Sequence, residues 1–194
     1  WLEGLGRMLT DLSQALSLTR PQQIASLSVK LEEEIERAAE ETEKWAKPFT
    51  LLLGKAANEF GAFKSDSLTA QRKLIRWYVE HEQMAQAITL AREWLVSWTG
   101  SRIGQTSLGK REEVERAINQ AARRRRQTEP APESPLLAQI EALPDGNSML
   151  RLWGKVADLR NDVAHCGMRE RPRRAADIVK AIIEVASGLE RLTI

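Results

Sequence analysis

Several things are scarce in this chain of 194 residues, and each scarcity excludes something. There is one cysteine, Cys166, so no disulfide can close within the chain, and a reducing cytoplasm is the expected setting. No apolar run approaches the ~18 residues that span a bilayer, so no membrane partner is expected. Charge of one sign is not in excess: 29 Lys and Arg stand against 27 Asp and Glu, a formal net charge of +2. A global basic field is thereby excluded, and any nucleic-acid contact must come from a local patch. Proline and glycine are few and clustered, β-branched runs are short, and nothing strand-like reaches a useful length. Gly100, Gly104 and Gly109 have the wrong spacing for a phosphate loop and follow no strand, so residues 99–111 are read as a plain loop. His81, His165 and Cys166 have no metal-ligand spacing, so neither metal nor cofactor is expected. The start, Trp1-Leu2-Glu3, has no basic and apolar leader and reads as cut from something longer or as having lost a disordered start.

What is present favours helix. Long stretches are rich in Ala, Leu, Glu, Lys, Arg and Gln. Apolar residues recur at three- and four-residue steps over 1–18 (Leu2, Leu5, Leu9, Leu12, Leu16) and over 21–46 (Ile24, Leu27, Leu31, Ile35). Thr19-Arg20-Pro21 marks the junction between them, and Lys47-Pro48 breaks the second. Phe49 to Phe63 is apolar again. Residues 68–98 form the longest periodic segment, with Leu74, Tyr78, Ala85, Ile88 and Leu95 on one face and Trp77, Trp94 and Trp98 at its borders. Six tryptophans among 5% aromatics read as core anchors; their spacing does not indicate base stacking. Lys110 to Arg126 is helical and ends in four arginines, Arg123 to Arg126, either a phosphate contact or a solvated helix end. Gln127 to Pro135 is polar and Pro-rich and is expected to be mobile. Leu136 to Leu143 forms a short helix, and 174–192 closes the chain with Ile178, Ile182, Val185, Leu189 and Leu192. The predicted architecture is all-α, a helical bundle with a mobile Arg/Pro-rich insertion at about 123–135.

The helix predicted over 149–166 carries the densest chemistry. Asn147 or Ser148 is its expected N-cap and Gly167 its C-cap. At about 100° per residue, Leu152, Val156, Leu159 and Val163 form a core stripe. Arg160 stands roughly 70° to one side, and Asn161 and His165 point nearly opposite. Ala157 and Ala164 leave a flat strip between Arg160 and Asn161 against which a second helix can pack, which predicts a homodimer through this helix. His165 lies in the last turn, where unsatisfied carbonyls favour a cation.

Arg160-Asn161-Asp162-Val163-Ala164-His165 resembles the R-x4-6-H signature of HEPN ribonucleases, with a polar residue directly after the arginine. Lys47-Pro48-Phe49 with Leu51-Leu52-Leu53, then Leu74-Ile75-Arg76-Trp77-Tyr78 leading into Gln86 to Glu93, is similar to the helical effector half of CARF–HEPN proteins of type III CRISPR immunity. The resemblance covers roughly residues 20–192. It implies a HEPN-like domain over 21–194, with 1–20 a leading helix or linker from an N-terminal sensor domain outside this sequence. It further implies a dimeric, metal-independent endoribonuclease acting on single-stranded RNA, in which Arg160 and His165 are catalytic and Asn161 supports them. The basic turn Arg169, Arg171, Arg173 and Arg174 would guide the RNA backbone. Control by cyclic oligoadenylate would come only through the missing sensor, since no strand–glycine-loop–helix segment is present.

Other readings stay open. The chain is alternatively a non-catalytic helical module that dimerises or docks a partner, or a toxin-type HEPN ribonuclease without cyclic-nucleotide control. Cys166 beside His165 does not make a thiol–imidazole pair, because neighbouring helix positions diverge by about 100°. His81, between Glu80 and Glu82, reads as structural or exposed, and Glu93 as a polar anchor or a surface ion pair.

Overall fold

A computed structural model describes residues 2–42, 47–126, 134–168 and 170–194, with side chains described for 3–37, 51–126, 134–168 and 170–194. The regular structure among these residues is all helical. Nine α-helices are present: α1 Leu2–Ser17, α2 Pro21–Thr42, α3 Lys47–Phe60, α4 Leu68–Glu80, α5 Met84–Arg102, α6 Arg111–Arg125, α7 Pro135–Glu141, α8 Gly146–Ala164 and α9 Ala175–Glu190. Short 3-10 turns lie at Gly61–Phe63 and Leu108–Lys110. No helix among the described residues is long and apolar enough to cross a membrane. The chain divides into two compact units, Trp1–Leu74 and Ile75–Ile194, with the division inside α4.

In the first unit α1 packs on α2, and α2 on α3 and the Gly61–Phe63 turn. The helical periodicity reaches the core as Leu5, Leu12, Ala15 and Leu16 from α1 and Ile24, Leu31 and Ile35 from α2, all buried. Pro21 occupies the first position of α2, where its missing N–H costs nothing. Leu53 and Phe63 are buried, whereas Leu51 and Leu52 are exposed. Helix α1, expected as a leading helix or linker, is thus part of a packed unit.

The second unit is built around α5, which α6, α8 and α9 pack against. Most of helix α5 is buried, through Ala87, Ile88, Leu90, Ala91, Trp94, Leu95, Val96, Trp98, Thr99 and Gly100. Its narrower polar side, Gln86, Thr89, Arg92, Glu93 and Ser97, is half-buried to exposed. Trp94 and Trp98 stack with centroids 6.5 Å apart, and the Trp98 indole donates to the Thr193 carbonyl at 2.8 Å. Trp153 of α8 is buried, donates to Asn119 Oδ1 at 2.9 Å, and lies under the Arg92 guanidinium. The three tryptophans therefore anchor the core. Each removes roughly 150–250 Å² from water, a gross gain of about 4–6 kcal/mol. Between α5 and α6, Glu93 accepts from Arg92 at 2.8 Å and Arg111 at 2.7 Å, and Arg92 also pairs with Glu115. Glu93 is thus an interhelix ion-pair residue, half-exposed.

Four expectations need correction. The 68–98 segment is two helices: α4 ends at Glu80, Glu82 takes φ 57°, and Ala85 is exposed. Amides of Glu82 and Gln83 bond back to Val79 and Tyr78 carbonyls, a closing motif that overrides periodicity although no glycine marks it. Residues 99–102 are helix rather than loop, because Gly100 lets the chain turn back on α5. A Cβ there would lie 2.5 Å from the Gln105 carbonyl oxygen, while the Gln105 amide bonds to Gly100 O at 2.7 Å. The N-cap of α8 is Asp145, not Asn147 or Ser148, and its carboxylate accepts from the Thr193 amide at 3.2 Å. The C-cap is His165; Cys166 and Gly167 follow with φ 53° and 68°. The mobile-loop reading of 127–133 lies outside the described residues, while Ser134 caps α7 by accepting from Leu137 N at 3.1 Å.

The glycines give a stability test. Gly100→Ala forces the new methyl against the Gln105 carbonyl oxygen, backbone that cannot swing aside, so a loss of about 1–3 kcal/mol is expected in chemical denaturation. Gly154→Ala meets only the Arg126 guanidinium tip, which can swing aside, and gains up to about 1 kcal/mol of helix propensity. The reverse order of stabilities would contradict this packing.

Candidate functional site

Helix α8 positions the arginine–histidine motif, and its burial pattern changes along its length. In the first half Met149, Leu150, Trp153, Gly154 and Val156 are buried. Residues seven apart on a helix fall within about 20° of one another. The counterparts one heptad on from Leu150, Trp153 and Gly154 are Ala157, Arg160 and Asn161. Ala157 is half-buried and the other two are exposed, as is Ala164. One edge of the core-facing arc of α8 thus continues, uncovered, into the turns that bear the motif, while Leu159 and Asp162 keep the rest of the arc buried. This revises the stripe expected from the sequence. Leu152 and Val163 are only half-buried, and Arg160 continues the line of Trp153 instead of flanking the core.

Arg160, Asn161 and His165 are all exposed. Asn161 and His165, four apart, share a face, and the His165 amide bonds to the Asn161 carbonyl at 3.0 Å. Arg160 and His165, five apart, diverge by about 140° around the helix and about 7.5 Å along it. One chain therefore presents the two side chains in different directions. The helix closes just beyond: the Cys166 amide bonds to Val163 O at 3.1 Å and the Gly167 amide to Asp162 O at 3.3 Å. This fixes the backbone on which His165 stands. Cys166 is exposed, on a backbone reversed from the helix.

The carboxylate within the motif has a role that spacing did not reveal. Asp162 is buried, and Arg173 Nε stands 3.7 Å from its Oδ2. The basic turn is folded back on α8 at this point, with Pro172 Cβ 3.5 Å from where a Gly167 Cβ would stand. Of the four arginines expected to guide RNA, Arg173 is turned toward Asp162, Arg171 and Arg174 are exposed, and Arg169 lies outside the described residues. Asp162 comes three residues after buried Leu159, a spacing that places it on the inward face.

The arginine run at the end of α6 is partly structural. Arg124 lies 3.7 Å from Glu141, and Arg125 donates to the Asn147 carbonyl at 2.9 Å. Arg126 lies over α8 at Gly154, its Nη2 2.5 Å from where a Cβ would be. Seven residues separate Gly154 from Asn161, so Arg126 adds a cation on the Asn161–His165 side. His81 is exposed, stacks on Trp77 at 4.0 Å, and its Nδ1 lies 2.8 Å from the Trp77 carbonyl. Among the described residues no group of three or more His, Cys, Asp or Glu is placed to hold a metal ion. No family model, curated protein or solved structure matches this chain.

Loss of the buried carboxylate should release the basic turn. Asp162→Asn is expected to speed hydrogen exchange at Cys166–Arg174 amides while the α5 core amides keep their protection. Unchanged exchange in that turn would show that Asp162 does not hold it.

Proposed function

We propose that this chain is a HEPN-type endoribonuclease domain that cleaves single-stranded RNA as a homodimer paired through α8. The observation that carries the reading is the uncovered continuation of the α8 core arc bearing Arg160, beside exposed Asn161 and His165. A second α8 laid along Ala157 and Ala164 would cover that arc and bring two Arg/His sets to one seam, compensating for their divergence within a chain.

The chemistry follows from the residue types. The ribose 2′-oxygen attacks the adjacent phosphorus, the 2′-O–P bond forms, and the bond to the 5′-oxygen breaks. The products are a 2′,3′-cyclic phosphate and a 5′-hydroxyl, so DNA is spared. One proton leaves the 2′-hydroxyl and one reaches the departing 5′-oxygen, and His165 serves these transfers. Arg160 holds the phosphate and stabilises charge that grows on its oxygens. Asn161 orients the strand or the imidazole. No step uses a metal. Arg171 and Arg174 contribute local positive charge. In this reading the domain acts in the cytoplasm in type III CRISPR antiviral defence, and a sensor of cyclic oligoadenylate elsewhere in the protein controls it.

The test is cleavage of a labelled single-stranded RNA in EDTA. Arg160→Ala and His165→Ala are each expected to lower the rate by about 10²–10⁴-fold, the range for losing an acid–base group. Cleavage that survives both substitutions would overturn the site. RNA left intact by wild type, with or without the sensor domain, would favour a non-catalytic helical module.

A further inference from the structure

At the opposite end of α8 from the motif, a groove of about 350 Å³ opens between α8 and the end of α9. Its lining includes three cations from two elements, Arg151 and Lys155 of α8 and Arg191 just past α9, with the Ser148 hydroxyl beside them. No acidic residue lines it. The floor is apolar, formed by Leu152 and Leu192. Gly188 makes room for that floor, since a Cβ there would stand 2.5 Å from Leu152 Cδ2. Among the described residues the acid paired with these cations is Glu184, 3.7 Å from Lys155 Nζ with both side chains half-exposed, a pair too solvated to hold the lysine firmly. The hydrogen bond from Arg151 to Ser148 Oγ is 3.3 Å and neutral at its acceptor, so the guanidinium keeps its charge for another partner. A cationic rim over an apolar floor suits a nucleotide strand, with phosphates on the rim and a base or ribose on the floor.

The place of the groove on α8 matters as much as its charge. Arg151, Asp158 and His165 follow one another at seven-residue steps and so run along one line of the helix. Arg151 precedes His165 by 14 residues, about 21 Å along the axis. That is roughly six stacked nucleotides at about 3.4 Å each. Asp158 is the negative charge on this path, and Arg126, just past α6, lies over Gly154, one helical turn before it.

We infer that the α8–α9 groove is a phosphate-binding subsite that holds the substrate RNA strand about six nucleotides from the cleavage point, through Arg151, Lys155 and Arg191. The ligand assignment rests on the ribonuclease reading; the cavity and its charge do not. Long RNA engages both motif and groove, whereas a four-nucleotide RNA at the motif cannot reach the groove.

The experiment measures binding of labelled 4-mer and 14-mer RNA by fluorescence anisotropy to the full chain carrying His165→Ala, with and without Arg151→Gln, Lys155→Gln and Arg191→Gln. The three neutral substitutions are expected to weaken the 14-mer at least tenfold and to lower its salt slope by about 2, at ~0.7 per phosphate on a single strand. The 4-mer should be unchanged, and Arg151→Lys with Arg191→Lys should retain 14-mer binding. A 14-mer affinity within twofold of the parent, an equal loss for both lengths, or no RNA binding by the parent would each overturn the subsite. If the triple variant melts early, Arg191→Gln alone, at an exposed position, should still lower the slope by about 0.7. Failure of the two readings separates cleanly. A wild-type chain that binds the 14-mer through the groove without cutting it sinks the nuclease and keeps the subsite. The same three substitutions in a chain that keeps His165, if they leave binding and cutting as in wild type, sink the subsite and keep the nuclease.

Discussion

Burial of the broad apolar face of α5 constrains the rest of the second unit. A helix with so wide an apolar face must be covered on more than one side, and α6, α8 and α9 all pack against it. The side chains that enforce this are large and fully enclosed: Trp94, Trp98, Leu95 and Ile88 show no exposed surface. Helix α8 meets this core with Met149, Trp153, Val156 and Leu159, and those four set its rotation. Everything the motif presents outward is a consequence of that rotation.

Charge contributes less to the fold than its abundance suggests. The Arg92, Glu93, Arg111 and Glu115 side chains are 25% to 47% exposed, so each pair contributes of order 0–1 kcal/mol. Burial of one tryptophan outweighs such a pair several-fold. The ion pairs therefore fix the register of α6 on α5 more than they stabilise it. Asp162 is different in kind. Its side chain is fully enclosed, and Arg173 stands against it, so the charge is held where desolvation is costly and a partner matters. The basic turn is folded against the motif helix as a result.

Composition made the all-helical fold legible, and the apolar periodicity of Leu5, Leu12, Ile24, Leu31, Ile182, Val185 and Leu189 located most helices. Helix endings were legible only where proline or glycine stood nearby. Thr19, Glu82 and Cys166 adopt the left-handed conformation that favours glycine; Pro21 and Gly167 marked the first and last, whereas nothing marked Glu82, so the break between α4 and α5 was missed. Gly100 misled in the opposite sense, since it serves close backbone approach within a helix. On α8 the wheel carried the direction of Asn161 and His165 but misassigned the core centre. It weighed Leu152 and Val163 as apolar without knowing where the neighbouring helices end. The burial of Asp162 was invisible because Arg173, which stands against it, comes from the following turn, which no local pattern records. The arginine run and the α8–α9 groove were likewise beyond reach, since both join residues far apart in the chain.

In the proposed dimer each chain displays half a site, because Arg160 and His165 diverge on a helix that leaves one edge of its core-facing arc uncovered. Specific cleavage rate measured across protein concentration, beside sedimentation mass at each concentration, tests it most directly. Activity should rise with the dimer fraction and vanish, per chain, on dilution to the monomer. Full specific activity at concentrations where sedimentation shows a single protomer would contradict it.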